Sequence, residues 1–405
     1  MNAQQKRQLA ILFLTLLMVM VGFGIIIPVM PFYAESMGAS ATQLGLLFAS
    51  FSLMQFLFSP LWGRYSDRIG RRPVLLLGLT GMAISFVLIG LSQALWMLFA
   101  ARILGGVISS SLLPSAMAYV ADSTPPQQRG QAMGLMGAAM GLGMIFGPAI
   151  GGFLGAFSPA MPFFVAAGLT IIVALFAALF LPESLPSQAR EEVHARPQQG
   201  YRPPSAYSQL FHALRSPVGL LLMLGFLSTM ALASLFGIFA LFAQAKFGFG
   251  ESEMGAIFVA LGIISALGQG VLVGRMISRW AEERVIQVSL VLSGFGFLGL
   301  TLAYDLASLI GLTALLGLGT SLLGAPLTSL ISQRTPPDQQ GTIMGVFNSY
   351  QSLGRIVGPL LGGVVFDLWG PEYPFVMAGV VFLLTWLGSS MLLSPYPSAS
   401  VEAGE

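Results

Sequence analysis

Long apolar runs separated by short polar punctuation recur from one end of this chain to the other. Twelve spans can be marked, at 9–32, 43–62, 73–93, 95–121, 131–156, 162–181, 217–245, 252–273, 285–303, 306–332, 342–366 and 374–393. A helix crossing the hydrocarbon core of a bilayer needs ~20 apolar residues, and each run approaches or exceeds that length. The pattern therefore predicts an all-α integral membrane protein with twelve transmembrane helices. The first run follows Lys6 and Arg7, as the core of a signal peptide would. It exceeds the ~7–15 residues of such a core and lacks a small-residue cleavage site, which predicts a retained helix.

Basic residues set the expected orientation. Of 18 Lys and Arg, 15 fall in the N-terminal tail or in every second loop, including Arg64, Arg68, Arg71, Arg72, Arg275, Arg279 and Arg284. Those loops, and both termini with them, are expected on the cytoplasmic side. One long polar interruption, rich in Pro, Gln and Arg, divides six spans from six. The expected organisation is a bundle over 1–185, a cytoplasmic linker over 186–216 and a second bundle over 217–405. The linker reads as a solvated connection, with a regulatory segment as the alternative.

The two halves are related to each other. An offset of 211 residues aligns Ser123–Gly152 with Arg334–Gly363, with 14 of 30 positions identical and no gap. The same offset carries Gly63, Arg64 and Arg68 onto Gly274, Arg275 and Arg279. Duplication of a six-span unit keeps both copies in one orientation and relates them by an axis along the membrane normal. Two pseudo-symmetric six-helix bundles with a central cavity between them are expected.

Composition narrows the chemistry. Residues are 55% hydrophobic and 8% charged, against ~25% charged in soluble domains. Twelve spans of ~20 residues consume roughly 240 positions and leave no room for a large soluble domain. With no Cys, and with His194 and His212 in one polar stretch, neither thiolate chemistry nor a metal site is expected. The only lysines are Lys6 and Lys246, and no phosphate-binding GxxxxGK occurs, so ATP bound to this chain is excluded as an energy source. Gly294, Gly296 and Gly299 form a GxGxxG, but it lies inside a span and follows no strand, so helix packing explains it. No catalytic constellation, cofactor or nucleic-acid partner is expected. The partners implied are a small-molecule substrate, protons and the lipid bilayer, with the chain acting as a monomer.

Two motifs carry more information. The segment GRYSDRIGRRPVLL, Gly63 to Leu76, places Asp67 among four Arg between two spans, with Gly63 and Gly70 suited to a tight turn. As a bare cluster it is a positive-inside loop. The fifth span carries Gly134, Gly143, Gly147, Pro148, Gly151 and Gly152. Glycines four apart give a flat face for close helix approach, and Pro148 removes a backbone hydrogen bond.

Together these segments resemble the major facilitator superfamily. Gly63, Asp67, Arg68, Gly70, Arg71 and Arg72 match its loop between helices two and three, with Tyr65 where Leu is usual. The resemblance implies that this loop latches the halves in one conformation, a gating role carried onto Asp67 and Arg71. The glycine spacing is similar to the motif of the proton-coupled antiporter branch. Asp122 and Arg129 in ADSTPPQQRG resemble the loop between helices four and five, where the Asp joins the cytoplasmic charge network; its alternative is a helix-end charge. Pro28 and Pro31 close the first span, and LPES closes the sixth, as in twelve-helix drug:proton antiporters. Where tetracycline exporters of this family carry an Asp nine residues before the first of those prolines, this chain has Val19.

Charges inside the spans frame the functional question. Arg102 lies ~10 Å deep in span four, in LFAARILGGV. It resembles the family's R-x-x-Q-G motif, associated with proton transfer, with Gly105 in place of Gln and Gly106 matching. Arg355 lies ~21 Å into span eleven, on a stripe with Asn348 and Gln351. Both Arg are expected to face the bundle interior or a wet cavity, with a structural ion pair as the alternative for Arg102 and contact with neighbouring helices as the alternative for Arg355. Gln55, midway along span two, is a candidate cavity contact or a helix-to-helix hydrogen bond. All sixteen acids fall in loops, tails or span ends. Proton coupling therefore falls to a boundary acid such as Glu35 or Asp305, or to Arg102 through exchange of partners. The expectation is a secondary active transporter of the cell membrane, exporting amphiphilic drug-like compounds by proton-coupled alternating access and conferring antibiotic resistance. The alternative is transport of organic anions on Arg102 and Arg355, and a remote one is a non-transporting membrane receptor.

Overall fold

A computed structural model of the chain describes residues 3–185, 212–216, 218–336 and 339–392. Twelve helices among the described residues are long and apolar enough to cross a membrane. They are α1 (Ala3–Glu35), α2 (Ala41–Ile69), α3 (Arg71–Gly90), α4 (Leu95–Ser123), α5 (Arg129–Gly155), α6 (Met161–Phe180), α7 (Gly219–Phe247), α8 (Glu251–Ile277), α9 (Glu282–Leu300), α10 (Leu306–Gln333), α11 (Gln340–Trp369) and α12 (Tyr373–Leu392). Most of the linker at 186–216 lies outside the described residues.

The duplication is visible in the backbone. Arg71 and Glu282 open α3 and α9, Leu95 and Leu306 open α4 and α10, and Arg129 and Gln340 open α5 and α11, each pair at the 211-residue offset. Both α4 and α10 break near their middles, after Ser109 and Ser321. At the α4 break the Ser111 hydroxyl turns back to the Ile108 carbonyl, 2.9 Å away, and Gly78 of α3 leaves room for it. Each half builds its own apolar core. One is centred on Leu12, Leu16, Ile25, Phe86 and Phe163, the other on Phe239, Phe242, Phe297, Phe375 and Phe382.

Local signals fix the helix ends. Ser40 caps α2 through a reciprocal box with Gln43, and Asp305 caps α10 with Ser308, each satisfying N–H groups that a helix start leaves free. Gly248 ends α7 in the left-handed conformation, φ 70°. All joints on the side that holds Arg64, Arg68, Arg129, Arg275 and Arg279 form one basic face. Glu35, Glu251, Asp305, Asp367 and Glu372 lie on the other, acidic face, where Lys246 pairs with Glu372 at 2.7 Å.

Candidate transport cleft and its charge networks

The halves meet along two pairs of helices, α2 with α11 and α5 with α8. At the acidic face both seams are backbone-tight. A Cβ on Gly45 would strike the Pro359 carbonyl of α11, and one on Gly152 would lie 2.7 Å from the Gly255 Cα of α8. Gly262 of α8 rests on Ile145 of α5 in the same way, with Ile145 Cγ1 2.7 Å from an added Cβ. The Asp367 carboxylate at the end of α11 accepts hydrogen bonds from the N–H groups of Ala41 (3.1 Å) and Thr42 (2.8 Å), so it caps α2 across the divide.

Toward the basic face the same four helices separate. Gly63 on α2, Gly130, Gly134, Gly137 and Gly141 on α5, Gly270 and Gly274 on α8, and Gly341 and Gly345 on α11 all have nothing within 4 Å of an added Cβ. The glycine motif of α5 is thereby divided. Gly143, Gly147 and Gly151 seat α5 on α1 within one half, with Pro148 against Gly24, while Gly152 and the Pro148 carbonyl meet Gly255 of the other half and Gly134 faces open space.

Polar side chains mark the wall of the resulting cleft. At 100° per residue, one row of α11, Phe347, Gly354, Gly358 and Gly362, packs on α7. Another, Pro359, Gly363 and Asp367, meets α2. Asn348, Ser352 and Arg355 fall between these rows, away from the exposed Leu361 and Leu368, and Gln351 lies at the border. Arg355 is exposed and its Nη2 donates to Ser352 Oγ at 3.0 Å. On α2 the lipid side is marked by Leu46, Leu53, Leu57 and Leu61. Phe48 and half-buried Gln55 lie on the opposite side, toward the cleft.

Arg102 is the buried cation, only 4% exposed. Its guanidinium lies 4.1 Å from the ring centre of Phe51 and 5.5 Å from that of Phe48, and Phe23 of α1 meets Phe51 edge-on. Ring faces offset part of the cost of burying the charge. Its Nε has no hydrogen-bond partner, and neither Arg102 nor Arg355 forms an ion pair among the described residues. Where the related motif has Gln, the space at Gly105 is taken by Ser85, whose hydroxyl donates to the Ala101 carbonyl at 2.9 Å.

The loop from Gly63 to Arg72 is arranged differently from the sequence expectation. Gly63 is helical rather than part of a turn, because α2 continues to Ile69 and Gly70 alone, at φ 115°, makes the joint. Among the described residues Asp67 pairs with Arg71 only, and Arg71 Nε also reaches Asp122 at 3.0 Å. Arg72 donates through Nη2 to the Ala178 carbonyl of α6. Arg68 is exposed, and Arg129 makes a long bond to the Thr124 carbonyl at 3.4 Å. Sequence reasoning missed Glu183, whose carboxylate accepts from the N–H groups of Arg71 (2.8 Å) and Arg72 (3.2 Å) at the start of α3. The LPES match at the end of span six was the available signal.

Of the boundary acids, Glu35 is exposed on the rim of a cavity of about 520 Å³ at the acidic face, with Phe32, Gln244 and Glu251. Asp305 serves α10 as its cap. The Ser308 side chain and backbone hold its carboxyl below the ordinary carboxylate range.

Twelve spans in two repeated bundles around a cleft define a multi-pass membrane transporter rather than an enzyme. The chain belongs to the Major Facilitator Superfamily, whose family model matches residues 12–356 and again 221–405. It is 33% identical over 389 residues to Multidrug resistance protein 2 of Bacillus subtilis (strain 168), covering 96% of each chain. It is 31% identical over 414 residues to the class B Tetracycline resistance protein of Escherichia coli, covering 99% of each. Among solved structures, the human organic anion transporter MFSD10 (TETRAN) superposes with a TM-score of 0.71 at 27% identity, over 96% of this chain and all of that one.

Proposed function

We propose that this transporter exports small amphiphilic, drug-like compounds across the cell membrane, driven by protons and working by alternating access. The observation that carries the reading is the cleft, closed by backbone contact at the acidic face and open at the basic face. A basic face rich in Arg belongs on the cytoplasmic side, so the cleft would load from the cytoplasm, with both termini there. Rocking of 1–185 against 217–405 would then release cargo on the far side. Relatives named for multidrug and tetracycline resistance cover nearly the whole chain, which supports export. The chain's 21 Met and 11% aromatic residues would suit varied apolar cargo where they line the cleft.

A second reading, transport of organic anions, rests on one observation: two cations, Arg102 and Arg355, stand in the spans without a carboxylate partner. The likeness to a human organic anion transporter favours it too. Inverted membrane vesicles separate the readings. Acidifying the lumen should drive accumulation of a cationic dye in vesicles containing the protein. If the gradient instead moves an organic anion and no cationic dye, the second reading replaces the first. Failure to move either one ends the proton-coupled proposal.

A further inference from the structure

On the lipid side of the first half, α3 and α6 part to leave an apolar groove of about 520 Å³, lined by Leu76, Thr80, Ile84, Leu88, Ile171 and Leu175 among others. The Thr80 hydroxyl is satisfied by the Leu76 carbonyl at 2.9 Å, so the wall presents hydrocarbon. From Leu76 to Leu88 the groove follows α3 for ~18 Å at 1.5 Å per residue, slightly more than one leaflet of a ~30 Å core. Its basic-face end is cationic. Arg72 donates to the carbonyl of Ala178, which itself lines the groove, and Arg72 Nε has no partner among the described residues. The neighbouring Glu183 carboxylate is engaged by the N–H groups of Arg71, Arg72, Ser184 and Leu185. Arg71 is engaged by Asp67 and Asp122. Arg72, half-buried and in no ion pair among the described residues, therefore supplies the positive charge at the mouth.

The other half is an internal control. At the 211-residue offset, Arg72 corresponds to Glu283, which pairs with Arg334 at 3.1 Å, and Ala83 and Gly168 correspond to Gly294 and Gly379. Those two glycines draw α9 and α12 together, a Cβ on Gly379 lying 2.7 Å from Leu298 and 3.0 Å from the Gly294 carbonyl. Gly168 has nothing within 4 Å. The positive charge at this position thus occurs in one half, where the duplicated half carries Glu283 paired with Arg334.

We propose that this groove is a binding site for an anionic phospholipid, its acyl chain lying between α3 and α6 and its phosphate on Arg72. Charge complementarity selects the anionic headgroup, since a basic patch between helices attracts acidic lipid at the membrane surface. Because Arg72 adjoins Arg71 at the single-residue joint Gly70, an occupied site bears directly on the Asp67–Arg71–Asp122 network.

The test uses the full-length protein purified in detergent, with phosphatidylglycerol, phosphatidylcholine or glycerol phosphate added. Retained lipid is read by native mass spectrometry and stability by thermal shift. Phosphatidylglycerol should be retained and should raise Tm where phosphatidylcholine does not. Arg72→Gln should cut its retention about fivefold, the order expected for one basic residue at an anionic surface. Thr80→Trp, which fills the groove without touching its mouth, should do the same. Equal retention of the two lipids by the unaltered protein would reduce the groove to a generic lipid coat and overturn the proposal. Undiminished retention by both variants would also overturn it. A shift with glycerol phosphate equal to that with phosphatidylglycerol would locate binding in the headgroup alone and overturn the groove. If Arg72→Gln yields no folded protein, Thr80→Trp decides.

Discussion

The acidic and basic ends of the same four helices differ in one respect that organises the rest of the molecule. At the acidic end, glycines of α2, α5, α8 and α11 are pressed against neighbouring backbone; at the basic end, glycines of the same helices face open space. Small residues let helices approach closely, and tight glycine contact in a membrane supplies packing that lipid cannot. A glycine with no neighbour is only a weaker helix former. Unused glycines at Gly63, Gly134, Gly274 and Gly345 therefore make sense if the cleft also closes at the basic face, where they would become the contact surface. Under the proposed alternating access, one sequence motif would encode two seams, of which this conformation shows one.

Two substitutions in the same motif break that comparison. A Cβ on Gly147 would lie 2.6 Å from the Gly24 Cα and the Val21 carbonyl of α1. Gly147→Leu is expected to cost about 3 kcal/mol or more, since backbone cannot yield as a side chain does, and to remove most folded protein from detergent extracts. Gly134→Leu meets no neighbour and should leave folded yield and Tm close to those of the unaltered protein. It should lower transport at least about tenfold, by blocking close approach at the basic face. Full transport by Gly134→Leu would show that this glycine never becomes buried, and would sink the closing seam.

Twelve spans and the duplication were legible in the sequence because apolar length and a constant offset do not depend on tertiary contact. The division of labour within the glycine motif was not. Spacing alone places Gly134 and Gly152 in one set, and only the tilt of the halves separates them. Charges at span ends were equally opaque. Glu183 and Asp367 read as boundary acids, but each satisfies the free N–H groups of a helix from another part of the fold, α3 and α2. The expectation that Arg102 faces the interior agrees with its 4% exposure, whereas its aromatic partners come from α2 and carry no motif. The duplication also hides differences of charge: Arg71 links two acids in one half, while at the same offset Glu282 accepts from Gln333 Nε2 at 2.8 Å.

The acidic end contains its own asymmetry. The α2–α11 seam is closed by Asp367, whose counterpart at the α5–α8 seam is Ala156, and α8 is capped by its own Glu253, 3.0 Å from the Gly250 N–H. Asp367→Asn keeps one acceptor but removes the charge at the start of α2. The loss should be about 1 kcal/mol for an exposed carboxylate at a helix N-terminus, which is about a fivefold shift toward conformations open at the acidic face. Distances between spin labels placed across that face would report it. An unchanged distance distribution would assign the closure to the glycine contacts alone.

The smallest effect concerns Asp305, the boundary acid whose structural task is the cap of α10. Its folded pKa is depressed by the two bonds with Ser308, so by linkage its stabilising contribution is present above the unfolded pKa and is lost as pH falls through the folded one. Asp305→Asn retains a capping oxygen and removes the titration. The Tm difference between the unaltered protein and this variant should therefore be greatest at neutral pH and shrink as pH falls below the ordinary carboxylate range. Transport should keep its pH profile, because a carboxyl held low by its own helix start binds no proton at neutral pH. A displaced transport profile in Asp305→Asn, with the Tm difference flat across the range, would reverse the assignment and make Asp305 a carrier of protons rather than a cap.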